Sequence, residues 1–151
     1  MGAKPPLTIL IVEDDPNDAL VIENAFKSIR VKIHMHTCPD AMEAIAYLKR
    51  EGKYADTDAY PFPRVLITDL NMPKGSGLKL LEWIGKHPEC AVIPKIVWSA
   101  SARESDVKLA FEFGANCYFQ KPSSFEDVVR VVQLIHDFWT KSLIPPLPEK
   151  C

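Results

Sequence analysis

Short runs of apolar residues alternate along the chain with longer stretches in which apolar positions recur every three or four residues. The short runs have the length of β-strands and the longer ones the period of amphipathic helices. Strands are predicted over 7–12 (LTILIV), 31–37 (VKIHMHT), 64–69 (RVLITD), 94–99 (PKIVWS) and 115–120 (ANCYFQ), and helices over 16–30, 39–51, 76–86, 103–113 and 123–140. Three of the strands are nearly all apolar, as strands covered on both faces must be. Helix starts are marked by Asp15-Pro16, Pro39-Asp40, Ser76-Gly77 and Ser123-Ser124, which supply caps or first-turn residues. The alternation predicts an α/β fold: a three-layer, doubly wound (βα)5 arrangement around a five-stranded parallel sheet, with right-handed crossovers.

Two segments interrupt the pattern. Residues 50–64 (REGKYADTDAYPFPR) form a long polar and aromatic connection, and 141–151 (KSLIPPLPEKC) a Pro-rich tail, read as a stiff solvated extension ending in a frayed Cys151. A length of 151 residues with 47% hydrophobic content fits one domain spanning 1–151, its core at about 7–140. No room is left for an effector domain after residue 140.

Composition removes some function classes. A formal charge of −2, with Lys and Arg scattered, gives no nucleic-acid footprint, and no apolar run reaches membrane-spanning length. The first ten residues carry neither a secretory signal pattern nor a myristoylation site, since Pro6 stands where Ser or Thr is needed. Cys38, Cys90, Cys117 and Cys151 are widely spaced with no CxxC, so reduced thiols in a cytoplasmic protein are expected.

In an open parallel sheet, ligands gather outside the carboxyl ends of the strands. Here the first strand ends in Glu13-Asp14, the third in Asp69, the fourth in Ser99, and the fifth runs through Gln120 to Lys121-Pro122. Three carboxylates brought together repel unless a cation joins them. Oxygen donors without His or Cys suit a hard ion such as Mg2+, which keeps waters and accepts phosphate oxygens, and Lys121 adds a mobile ammonium. The set describes a site for a phosphoryl group. Asp15 is expected to cap the first helix and Asp18 to sit in its first turn, where negative charge suits the helix dipole. The Lys121-Pro122 exit is expected to use a cis bond to aim the lysine inward.

The motifs VEDD (12–15), DLNMPKGSG (69–77), SA (99–100) and GANCYFQKP (114–122), with 22 positions from Ser99 to Lys121, resemble the receiver domain of two-component response regulators over residues 7–140. The resemblance implies strand order 2-1-3-4-5. It implies that Asp69 accepts a phosphoryl group from a sensor histidine kinase and that Glu13, Asp14, Asp69 and the Asn71 backbone carbonyl hold Mg2+. It further implies that Lys121 binds the phosphoryl oxygens, that Ser99 is the hydroxyl switch and that Tyr118 is its coupled aromatic. The 50–64 insertion and missing output domain are similar to single-domain regulators that serve phytochrome-type kinases.

Departures from the family pattern are few. Ser76 replaces a usual acid, and Trp98 is bulky beside the switch. An aspartyl-phosphate phosphohydrolase is the enzyme rival, but it needs an acid where Asn71 stands; an unphosphorylated binding module would need a broken site. His34 and His36 share a strand face, which an exposed edge strand explains better than a metal. The last helix has nine apolar residues among the fifteen from Phe125 to Trp139, more than one core-facing stripe uses. The excess points either to a helix tucked under the chain's own tail or to a homodimer or partner contact through the fourth-helix to fifth-helix face.

Overall fold

In the computed structural model, residues 6–72 and 77–151 are described. Five parallel strands, β1 (Leu7–Val12), β2 (Ile33–Cys38), β3 (Val65–Thr68), β4 (Lys95–Ser99) and β5 (Cys117–Gln120), form one sheet in the order β2-β1-β3-β4-β5. They alternate with α1 (Pro16–Ser28), α2 (Ala41–Lys49), α3 (Gly77–Gly85), α4 (Glu104–Glu112) and α5 (Phe125–Lys141). This is the architecture that the pattern predicts, with boundaries displaced by one to three residues at most elements. Crossover helices cover both faces, which is why β1, β3 and β4 are buried at every position.

Successive side chains in a strand point to opposite faces, so the apolar strands feed two separate cores. Ile9, Ile11, Val65, Ile67, Ile96 and Trp98 pack with Ile22, Phe26, Val128, Val132 and Ile135 of α1 and α5. Leu10, Val12 and Leu66 point the other way, toward Ala44 and Leu48 of α2 and Leu80 and Ile84 of α3. Trp98 therefore lies under α1 and α5, its ring 6.5 Å from that of Phe119. By the same alternation Ser99 faces the opposite side, so the tryptophan does not crowd it.

Local chemistry sets the helix ends. The Asp15 carboxylate accepts from the Asn17 N–H at 2.8 Å with Pro16 opening α1, and Asp40 caps α2 by accepting from the Glu43 N–H at 2.9 Å. Ser124 caps α5 through the Asp127 N–H. The expected Ser76 cap of α3 lies outside the described residues. Arg50 ends α2 in the left-handed conformation (φ 62°). Its guanidinium then donates to the Tyr54 and Tyr60 carbonyls and lies over the Phe62 ring.

The 50–64 connection is thereby a packed structure. A 3-10 turn (Gly52–Ala55) brings Tyr54 against Tyr47 and Tyr60 with centroids 4.9 Å apart in each case, and the Tyr47 hydroxyl donates to the Pro61 carbonyl at 2.6 Å. His36 on the edge strand β2 leans on the same ring cluster, 5.1 Å from Tyr60. The histidine pair thus belongs to an edge strand, and no metal-binding group among the described residues includes it.

The cysteine and tail expectations are corrected. Cys90 and Cys151 form a disulfide with Cα atoms 5.7 Å apart, while buried Cys38 and half-buried Cys117 stay free. The tail is docked: Leu147 packs on the α2/α3 core, the Cys151 N–H donates to the Leu48 carbonyl at 2.9 Å, and Arg50 Nε donates to the Glu149 carbonyl at 3.3 Å. The spacing of cysteines in sequence carries no trace of this, because the two partners are 61 residues apart and meet only once the sheet is complete. Closing a loop of that length contributes about 4 kcal/mol in the chain-entropy model.

Candidate functional site

The crevice lies where β1, β3 and β5 end. Val12 accepts the backbone N–H of Asp69, and Ser99 that of Lys121 at 2.7 Å, so the residue that follows each strand is fixed by ladder bonds to its neighbour. Glu13 and Asp69 are buried and Asp14 is less so. Each of these three carboxylates offers an oxygen within 4.8 Å of the others, the one group among the described residues that could hold a metal ion.

Lys121 crosses the crevice to reach them. Its Nζ lies 2.6 Å from Glu13 Oε1, 2.7 Å from Asp18 Oδ2 and 2.8 Å from Asp69 Oδ2. The expected cis bond after it is absent: there is no cis peptide among the described residues, and the side chain reaches the acids from a trans backbone. Asp18 stands in the first turn of α1 as expected, and its carboxylate also reaches the Lys121 ammonium, a contact that the first-turn position alone does not reveal. Far from serving only the helix dipole, it extends from the first turn of α1 back over the strand end onto the ammonium. Its position directly after the acid pair, on a helix that starts at the strand end, was the available signal.

Burial of Lys121 lowers its pKa, but the three bonds to Asp18, Asp69 and Glu13 outweigh that and hold it above the usual lysine value. Glu13 goes the opposite way to an ordinary salt-bridged acid. Burial pushes it up to about 7, against the opposing pull of Lys121 and with a further push from Asp69. One ammonium divided among three acids does not neutralise them, and the excess negative charge calls for a dication. All-oxygen donors fit a hard one.

The Asp69 carboxylate is oriented from both sides, Oδ2 by Lys121 and Oδ1 by the Asn71 N–H at 3.3 Å. Asn71 itself is exposed. Gly77, at the start of α3, has no room for a side chain: a Cβ there would overlap the Asp69 carbonyl oxygen, and its N–H donates to Leu70 at 2.8 Å. A glycine is thus needed for α3 to begin against the loop that carries Asp69.

Ser99 is buried at the end of β4, and its Oγ accepts from the Ser101 N–H at 3.2 Å. Ser101 is a node. Its carbonyl accepts from the Tyr118 hydroxyl at 2.7 Å, and its own hydroxyl donates to Asp106 in the first turn of α4 at 2.5 Å. Tyr118 is half-buried against a third cluster of Leu70, Leu81, Val97, Ala110 and Ala115. The structure therefore brings Glu13, Asp14, Asp69 and Lys121 into one cluster, and links Ser99 to Tyr118 through the backbone of Ser101.

Residues 9–133 match the response regulator receiver domain model. The response regulator Rcp1 of Synechocystis is 31% identical over 144 residues, covering 95% of this chain and 96% of Rcp1. The crystal structure of the phosphorylated cyanobacterial phytochrome response regulator RcpA superposes with a TM-score of 0.85 at 32% identity, covering 94% of this chain and all of that one. The Mn(2+)-bound form of Rcp1 superposes at 0.80 with 31% identity, covering 93% of this chain and 100% of that one. The chain belongs to the response regulator receiver family.

Two measurements test the division of labour among the acids. Asp15→Ala, which removes the α1 cap, is expected to cost about 1 kcal/mol in urea unfolding and leave divalent-metal affinity nearly unchanged, whereas Asp14→Ala does the reverse. Loss of metal binding in Asp15→Ala with stability intact would refute the assignment.

The second concerns pH. Glu13 holds its proton in the fold up to about pH 7 but at 4.5 in an ordinary setting, so its contribution favours the metal-free fold below about pH 4.5 and is lost as pH rises toward 7. A dication binds the ionised form. Its affinity should rise several-fold to about tenfold per pH unit below 7 and level off above, with proton release seen by calorimetry in buffers of different ionisation enthalpy. A flat affinity from pH 5.5 to 8 would contradict the raised Glu13.

Proposed function

We propose that this chain is a stand-alone response regulator that accepts a phosphoryl group on Asp69 from a sensor histidine kinase in the cytoplasm and changes its partner binding in response. The observation that carries the reading is the Lys121 ammonium held on Asp69 Oδ2 beside the Glu13, Asp14 and Asp69 oxygens. A carboxylate oriented by Lys121 and the Asn71 N–H presents an oxygen to phosphorus; the bond to the donor's nitrogen breaks, and an acyl phosphate forms. Mg2+, held by Glu13, Asp14, Asp69 and the Asn71 carbonyl, would supply the charge that the phosphoryl oxygens need. This is catalysis by positioning and electrostatics, performed by the chain on itself and followed by its own dephosphorylation.

The switch follows from the Ser101 node. If Ser99 turns its hydroxyl to the new phosphoryl group, it withdraws the acceptor of the Ser101 N–H, and the loop that also anchors the Tyr118 hydroxyl and the start of α4 must rearrange. Charge addition at one point thereby biases a two-state element at the α4 and β5 surface. The similarity to Rcp1 and RcpA supports a phytochrome-type kinase as the donor. Among the described residues no helix is long and apolar enough to cross a membrane.

The α5 face supports a homodimer. Val128, Val132 and Ile135 are buried against the sheet, yet Leu134 and Phe138 are each 61% exposed beside a cavity of about 340 Å³ lined also by Cys117 and Phe119. On α4, Phe111 is likewise exposed.

Acetyl phosphate with Mg2+ is expected to add one phosphoryl group to the wild type and none to Asp69→Asn by intact mass, with Lys121→Met slowed by about 10²- to 10³-fold. An unmodified wild type would indicate a receiver-like binding module. Sustained turnover of phosphodonor would favour an aspartyl-phosphate phosphohydrolase, a reading that Asn71 already disfavours. Sedimentation at micromolar concentration should show dimer that Phe138→Asp abolishes; monomer with and without phosphodonor would exclude this interface.

A further inference from the structure

At the edge of the sheet opposite the acid crevice, the chain after α5 folds back on itself. Ser142, Leu143 and Ile144 share a cavity with Leu7 and Arg64 at the amino ends of β1 and β3, and the chain then continues to Leu147 and Cys151 on the α2/α3 face. Residues 142–151 thus strap the two faces together. The strap has no helix or strand of its own, and Pro145, Pro146 and Pro148 cannot donate backbone hydrogen bonds. Its noncovalent attachment to the α2 side is thin: the Leu147 contact, the Cys151 N–H on Leu48, and Arg50 on the Glu149 carbonyl. A segment tied so lightly opens at low cost unless something covalent holds it. The Cys90–Cys151 bond is that tie.

We propose that Cys90 and Cys151 are a thiol–disulfide modification site, and that reduction of their bond by a dithiol releases the strap from the α2 face. Cys90 is completely buried, whereas Cys151 is half-buried, so an incoming thiolate reaches Cys151 Sγ first. The sulfur–sulfur bond breaks and Cys90 leaves as a thiolate that takes a proton from water. The second thiol of the reductant then attacks the mixed disulfide, freeing Cys151 and closing the reductant's own disulfide. Two electrons and two protons pass to the protein and leave the dithiol oxidised. The remaining thiols do not compete: burial pushes Cys38 up to about 12 and Cys117 up to about 11, so neither is a thiolate near neutrality. The released strap uncovers apolar surface around Leu48 and gives the α2 face a second state, independent of the acid crevice.

The test uses the full chain purified without reductant. Maleimide labelling in denaturant is expected to count two thiols before dithiothreitol and four after, with peptide mapping that joins 90 to 151. Under native conditions, hydrogen exchange over 143–151 should speed up by about tenfold or more on reduction, and exchange at the β1 and β3 amides should not change. Cys151→Ser should show the fast exchange without any reductant. Acetyl phosphate labelling of Asp69 should be the same in that variant as in the wild type, which separates a failure of this proposal from a failure of the phosphoacceptor reading. Four thiols in the unreduced protein, or strap exchange unaltered by dithiothreitol, would overturn the proposal, and the second result needs no variant to fold.

Discussion

The crevice is organised by one ammonium group shared among three carboxylates. Lys121 closes a connection between the ends of β1, β3 and β5 and the first turn of α1, and each of those elements is placed by a different stretch of sequence. Without the lysine, Glu13, Asp18 and Asp69 would face one another across a partly dry space, where like charges are costly. With it, they remain close but incompletely neutralised. That incompleteness leaves a net negative crevice whose three carboxylate oxygens could hold a metal ion.

Everything around the crevice serves to hold these ends at fixed separations. Two cores packed on opposite faces of β1 and β3 make the strand ends rigid, and the parallel ladder aligns them at one edge. The glycine at the start of α3 lets that helix approach the Asp69 backbone closely enough to join the same frame. By contrast, Ser99 and Tyr118 are each tied to Ser101 in a loop by a single hydrogen bond. A rigid acid cluster beside a loop with few tethers is the division expected of a module in which charge at one point is to move a surface at another.

The opposite edge of the sheet has its own economy of contacts. There the strap crosses beneath the strands to a disulfide, while the insertion after α2 folds into an aromatic cluster that runs along α2 to Glu43 in its first turn. The two edges share the α2/α3 core, in which Val12 and Met72 flank the acid residues while Leu48 and Cys90 meet the strap.

The order of elements, the two-sided burial of the central strands and the acid, hydroxyl and lysine at the strand ends were determined by the sequence itself, because each is a local signal of period, cap or strand-end chemistry. Glu13, Asp14, Asp69 and Lys121 could be named from that alone. Three things only the tertiary structure decided. Asp18 is a first-turn acid as its position suggests, but its contact with Lys121 exists only once β5 and α1 are brought together. Trp98 reads as a neighbour of the switch until strand alternation turns it to the other core. Cys90 and Cys151 read as unrelated thiols, and the Pro-rich tail as solvated, until the chain is closed beneath the sheet. In each case the partner is distant in sequence, and no periodicity records a contact that exists only after the sheet has brought remote segments together.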